Sequence, residues 1–86
     1  MKQPTLRTPY FLSSDLSLAA AISLSFPIEE IDQSNPRKAV FVFKRTSELE
    51  EFVESYYRNE VQVSPQAYFN QLREIKTRLY AGKHVW

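Results

Sequence analysis

Apolar and polar residues fall in blocks along the chain, and their spacing predicts six elements. The most informative block is Ala39-Val40-Phe41-Val42-Phe43, set between Arg37-Lys38 and Lys44-Arg45 and preceded by Ser34-Asn35-Pro36. It is short, rich in Val and Phe, and bounded by turn chemistry, which predicts a strand rather than a helix. An unbroken apolar run predicts burial on both faces, hence a place in the middle of a sheet. Val40 and Val42 would face one side, and Ala39, Phe41 and Phe43 the other.

The other elements are read from the same periodicities. Thr8-Pro9-Tyr10-Phe11-Leu12 predicts a first strand, with Pro9 at its start. Ser13-Ser14-Asp15 supplies capping side chains for a helix over Leu16–Ser25. That helix is apolar around much of its circumference and should lie across the sheet as its most buried partner. Pro27 ends it. Ile28-Glu29-Glu30-Ile31-Asp32 reads as a short edge strand whose acids suit exposure. Ser47 with Glu50 three residues on predicts a capping box. Leu49, Phe52, Val53, Tyr56 and Tyr57 then form a helical stripe, from which one of the two tyrosines must turn outward. Asn59-Glu60-Val61-Gln62-Val63 breaks the period. Ser64-Pro65 opens a last helix with a Tyr68, Leu72, Ile75, Leu79 stripe, expected to run to about Tyr80 and to stop at Gly82.

These elements predict an α+β fold in the order β-α-β-β-α-α, with three helices mainly on one face of a small three-stranded mixed sheet. A right-handed crossover makes the first two strands parallel, with the third between them and antiparallel to both. The expected organisation is a polar arm over residues 1–7, one domain over 8–82, and a tail over 83–86.

An ordered set of segments carries a family likeness: Ser14-Asp15-Leu16-Ser17-Leu18-Ala19-Ala20-Ala21, Phe26-Pro27, Val40-Phe41-Val42-Phe43, Glu48 through Tyr57, Tyr68-Phe69, and Leu72-Arg73-Glu74-Ile75-Lys76. Over roughly residues 8–80 the chain resembles a family of small uncharacterised domains of bacteria and phages, catalogued as a domain of unknown function. The resemblance implies a free-standing natural domain. It carries over no substrate, cofactor or catalytic residue.

Composition narrows the chemistry. The 86 residues include no cysteine and one glycine, so neither disulfides, thiolate metal sites nor phosphate-cradling loops are expected. The N-terminus lacks a signal-like apolar segment, and Leu16–Ile28 is too short to span a bilayer. A cytoplasmic protein without membrane, metal or cofactor is expected.

Single residues point the same way. His84 is the lone histidine and falls in the tail, where a solvated side chain is the favoured reading. Glu48, Glu50, Glu51 and Glu54 crowd one helix start, where acids complement the helix dipole more readily than they form a catalytic pair. Asp15 caps a helix and would repel an anion there.

The bases invite more. Arg37, Lys38, Lys44 and Arg45 flank the central strand, while Arg73, Lys76, Tyr80 and Lys83 recur at helical spacing with Trp86 beyond. Bases interleaved with aromatics suit a single-stranded nucleic acid, although bases also end strands and helices as solvated residues. The net charge is only +1, but acids concentrate over residues 46–60 and bases over 70–86. The favoured expectation is a non-enzymatic interaction module that contacts a partner protein or its own copy. The alternative is a nucleic-acid-binding accessory protein, with these nine residues as the candidate contacts in either case.

Overall fold

A computed structural model describes residues 9–35 and 37–83, the side chain of Lys83 excepted. The elements are β1 (Tyr10–Ser13), α1 (Leu16–Ser23), β2 (Ile28–Asp32), β3 (Val40–Lys44), α2 (Ser47–Tyr57) and α3 (Pro65–Lys83). The sheet order is β1-β3-β2, an α+β fold with the third strand central. Both neighbouring pairs are antiparallel, so the parallel relation exists only between the two outer strands, which do not touch through hydrogen bonds.

The helices cover one face. Phe41 and Phe43 are buried beneath them together with Leu18, Ala19, Ala20 and Ile22 of α1, Leu49 of α2 and Ile75 of α3. Phe11 packs on this core with its ring 6.5 Å from that of Phe43. Five consecutive residues of α1, Leu18 to Ile22, are buried, which makes it the most enclosed helix.

Burial of β3 on both faces does not hold. Val40 and Val42 are only half-buried, on the face that no helix among the described residues covers. Three helices span one side of a narrow sheet and leave none for the other. The Val side chains are shielded instead by neighbouring strands, as on the solvated face of an antiparallel sheet.

β2 is the expected edge strand over Ile28–Asp32, yet Ile28 and Ile31 sit three apart, out of phase for one face of a regular strand. A bulge resolves this. The register slips between Ile28 and Glu30, so Ile28 pairs with Phe43 and Ile31 with Phe41, and both isoleucines reach the core.

Helix ends correct the expectations at two places. The cap of α2 is Thr46, one residue before the expected Ser47: its Oγ1 accepts from the Leu49 N–H at 3.0 Å. Glu50 therefore does not complete a capping box, and bonds Arg45 instead. At the end of the chain, α3 continues through Gly82 to Lys83, so Gly82 is not the stop and Lys83 is helical rather than tail. Gly costs a helix only about 1 kcal/mol relative to Ala, less than neighbouring contacts can offset.

One signal was overlooked. α2 ends with Asn59 in the left-handed region at φ 64°. The Glu60 N–H bonds Ser55 O at 2.9 Å and the Asn59 N–H bonds Tyr56 O at 3.0 Å, a Schellman closure with Asn in glycine's usual place. The expected arm over 1–7, and the tail beyond Lys83, lie outside the described residues. No helix among the described residues is long and apolar enough to cross a membrane.

Candidate interaction surface

α3 is held at both ends. The Ser64 hydroxyl accepts from the Ala67 N–H at 3.3 Å at its start, and Pro65 occupies the first helical position. The Tyr68 hydroxyl donates to Ser17 O at 3.3 Å, and Gln33 Nε2 donates to Leu79 O at 3.2 Å. The helix thus reaches from the start of α1 to the β2–β3 connection, with Tyr68, Leu72, Ile75 and Leu79 against the core.

One residue further along from each of these lies a second row: Phe69, Arg73, Lys76 and Tyr80. Its spacings of four, three and four keep it on one helical face. Phe69 is 61% and Tyr80 67% exposed, and Arg73 and Lys76 are exposed between them. Neither base forms an ion pair among the described residues; Arg73 makes only a 3.5 Å contact with Asn70 Oδ1. The row is about 16 Å long at 1.5 Å per residue.

The remaining candidate bases do not join it as one patch. Arg37 and Lys38 lie exposed in the connection that precedes β3, held in a turn where Asn35 Oδ1 accepts from Arg37 N at 2.9 Å. Gln33 brings this connection toward the end of α3. Lys44 and Arg45 stand at the opposite end of β3, and the Arg45 guanidinium is already engaged with Glu50 and the Tyr10 carbonyl. Lys83 belongs to the last turn of α3, but its side chain lies outside the described residues, as do His84 and Trp86.

Sequence reasoning missed the open face of the sheet. Tyr10 is 46% and Leu12 56% exposed there, and Leu12 pairs with Val42. Glu30 and Asp32 of β2 lie on the same face opposite Val42 and Val40, and Lys44 lies opposite Tyr10. The Asp32 carboxylate accepts from the Ser34 N–H and hydroxyl, at 3.0 and 2.7 Å, which holds its pKa below the ordinary 3.8. The legible signal was the phase of Tyr10 and Leu12, which must oppose Phe11.

Two grooves lie elsewhere among the described residues. One, about 340 Å³, lies between α1, the end of α2 and the start of α3, lined by Ala21, Tyr56, Asn59, Val61, Val63 and Tyr68. Burial pushes the Tyr56 phenol up, with the Asp15 carboxylate and the neighbouring phenols adding to it. The other, about 440 Å³, runs beside Phe26 and Phe52 and is bordered by Glu48 and Glu51. Among the described residues there is no cluster of three His, Cys, Asp or Glu that could hold a metal, and no polar or charged residue is buried.

Comparison with curated proteins and with solved structures finds no match. Residues 9–81, which take in all six elements nearly to the end of α3, match the family described as "Domain of unknown function (DUF5659)", and the chain belongs to that family.

Proposed function

We propose that this domain is a non-enzymatic interaction module that works in the cytoplasm of a bacterial or phage-infected cell and docks on protein through the exposed face of α3. The observation that carries this is the row Phe69, Arg73, Lys76 and Tyr80: two large rings and two cations without an ion pair among the described residues, on a helix fixed at both ends. Aromatic side chains and arginine are the residues that anchor protein interfaces, and exposing two such rings is unfavourable unless something covers them. The surface that complements the row carries carboxylates opposite its centre and apolar patches opposite its two ends.

A photo-crosslinking residue at position 69 or 80, tested in bacterial cells, should give protein adducts. The same residue at Tyr57, an equally exposed ring at 67% on another helix, should give none. Equal labelling from all three positions, or none from 69 and 80, overturns the reading.

Single-stranded nucleic acid is the second reading, supported by the same alternation of rings and cations. Against it, Lys44 and Arg45 stand at the far end of the sheet, and exposed Glu48, Glu51 and Glu54 on α2 repel phosphates. With Arg73 and Lys76 alone, the slope of log K against log salt would be only about −1.4. Nuclease-sensitive adducts at 69 and 80 would favour this alternative.

A further inference from the structure

The groove between α1, the end of α2 and the start of α3 is walled by the rings of Tyr56 and Tyr68. Ala21, Val61 and Val63 supply its aliphatic lining, and Asn59 a side-chain amide. Both rings are braced: Tyr56 stands edge-on to Tyr57 at 5.5 Å, and Tyr68 lies 6.1 Å from Phe69 while its hydroxyl donates to Ser17 O at 3.3 Å. The volume of about 340 Å³ is at the small end of cavities that take whole ligands, roughly 300–1,000 Å³. We propose that this groove binds a small organic cation, an alkylguanidinium whose flat head lies on the tyrosine rings and whose chain lies along Val61 and Val63. The site is separate from the α3 row and stands whether or not that row docks a protein.

Charge selects a cation. Asp15 stands beside the groove: it caps the helix whose Ser17 carbonyl holds the Tyr68 hydroxyl, and its carboxylate adds to burial in raising the Tyr56 phenol. It forms no ion pair among the described residues. No Lys or Arg occurs from Tyr10 to Asn35 or from Asn59 to Leu72. Arg58, at the end of α2, is engaged by Glu54 at 3.6 Å and Glu60 at 3.2 Å. An anion would need the N–H groups of a helix start, and both nearby starts carry their own caps. Asp15 Oδ1 accepts from the Ser17 and Leu18 N–H at 3.0 and 3.3 Å, and the Ser64 hydroxyl accepts from that of Ala67 at 3.3 Å. A guanidinium is flat and weakly hydrated, with donors in its plane. It can stack on a phenol ring while bonding acceptors such as the Tyr56 hydroxyl, Asn59 Oδ1 and the Asp15 carboxylate.

All six lining residues are described, and none adjoins an undescribed one. The Pro9 carbonyl is bonded to Arg45 just before α2, and α2 carries the chain about 15 Å from Thr46 to Tyr56. Lys83 stands about 22 Å along α3 from Tyr68. The groove therefore belongs to the interior of the described chain and is formed by three helices packed on one core.

Nuclear magnetic resonance of the full chain tests this with n-butylguanidinium, and with n-butylurea as its uncharged counterpart of similar shape. Titrated to about 10 mM, a range suited to so small a ligand, the guanidinium should shift the amide signals of Ala21, Asn59, Val61 and Val63 saturably. Butylurea should leave them in place, and so should inorganic phosphate. Asp15→Asn keeps the cap, because Asn caps as well as Asp, but removes the charge; it should weaken binding about five-fold or more. Val63→Lys puts a like charge at a position 37% exposed and should abolish binding, with the remaining signals showing that the chain is folded. Should Val63→Lys unfold the chain, Asp15→Asn decides alone. No saturable shift, an equal response to butylurea or phosphate, or unchanged binding in a folded variant overturns the inference. Tighter binding of N-acetylarginine amide than of butylguanidinium also overturns it, because the groove would then take a partner's side chain.

Discussion

Arg45 Nη1 lies 2.9 Å from Glu50 Oε2 while its Nη2 donates to the Tyr10 carbonyl at 3.1 Å. One guanidinium thereby joins the end of β3, the first turn of α2 and the edge strand β1. Its side chain is 27% and that of Glu50 37% exposed, so water screens the pair, and its contribution should be about 0.5–1 kcal/mol. Arg45→Ala should lower the unfolding free energy by at least that much, since it also removes the bond to the Tyr10 carbonyl. Arg45→Lys should recover less than half, because an ammonium lacks the planar fork that spans two acceptors. A double-mutant cycle with Glu50→Gln that returns no coupling would contradict this account.

Thr46 caps α2, and Ser47 is already helical. Thr46→Ala should cost roughly 0.5–2 kcal/mol, since it leaves the Leu49 N–H without its acceptor. Ser47→Ala should change stability by less than about 0.5 kcal/mol. Urea titrations of the two variants separate the assignments, and the reverse ranking would restore Ser47 as the cap.

Where periodicity and burial coincide, the sequence was readable. The stripe of α3 and the apolar α1 follow from spacing, whereas the central place of β3 is right although the two-sided burial argued for it is not. Thr46 and Ser47 are chemically near-equivalent caps, and only the extended backbone of Thr46, at φ −136° and ψ 165°, separates them. The bulge at Glu29 was hidden because an extra residue inverts the alternation on which strand reading depends. Phe69 stands next to Tyr68 of the inner stripe in the sequence. Its membership of the outer row requires knowing which arc of α3 faces α1, and that is a tertiary fact. The scattering of the candidate bases is unreadable for the same reason: Arg45 is engaged by Glu50 in the first turn of the helix that follows it.

Asn59 occupies left-handed backbone that disfavours any side chain with a Cβ, and Asn tolerates it better than most. Asn59→Gly should leave stability unchanged or raise it by up to about 1 kcal/mol. Asn59→Val should destabilise by more than about 1 kcal/mol, because a β-branched residue fits poorly there. Thermal melts of both variants check the pair; a stable Val variant would mean the closure of α2 contributes little.

The two faces of β3 should respond unequally. Phe41→Ala empties a site that is 2% exposed under all three helices and should cost roughly 3–5 kcal/mol. Val42→Ala on the open face should cost no more than about 1 kcal/mol. Chemical denaturation measures both, and equal losses would imply that the open face is covered within one chain.

Burial, aided by the Asp15 carboxylate and the Tyr68 and Tyr57 phenols, raises the Tyr56 phenol above its ordinary 10.0. A raised folded pKa means that folding favours the protonated, neutral ring. This contribution is fully present below pH 10 and is lost as pH climbs through the folded value. The stability of the parent should therefore fall on the alkaline side more steeply than that of Tyr56→Phe. Denaturation midpoints taken between about pH 9 and pH 11.5 compare the two, and parallel curves would rule out an effect of Tyr56.

The sheet order β1-β3-β2 also sets a timetable for the chain as it is made. β2 and β3 are adjacent in sequence and can pair as soon as both have emerged. β1 must wait about thirty residues for its partner, a loop whose closure entropy is met only when β3 arrives. During that interval α1, with its buried run from Leu18 to Ile22, has no layer to lie on. A nascent chain halted before Val40 therefore presents an apolar helix and two unpaired strands to its surroundings, a species prone to stick to its neighbours. The last residues of β3 convert it, almost at once, from the most vulnerable length of this polypeptide to one whose strands are all paired.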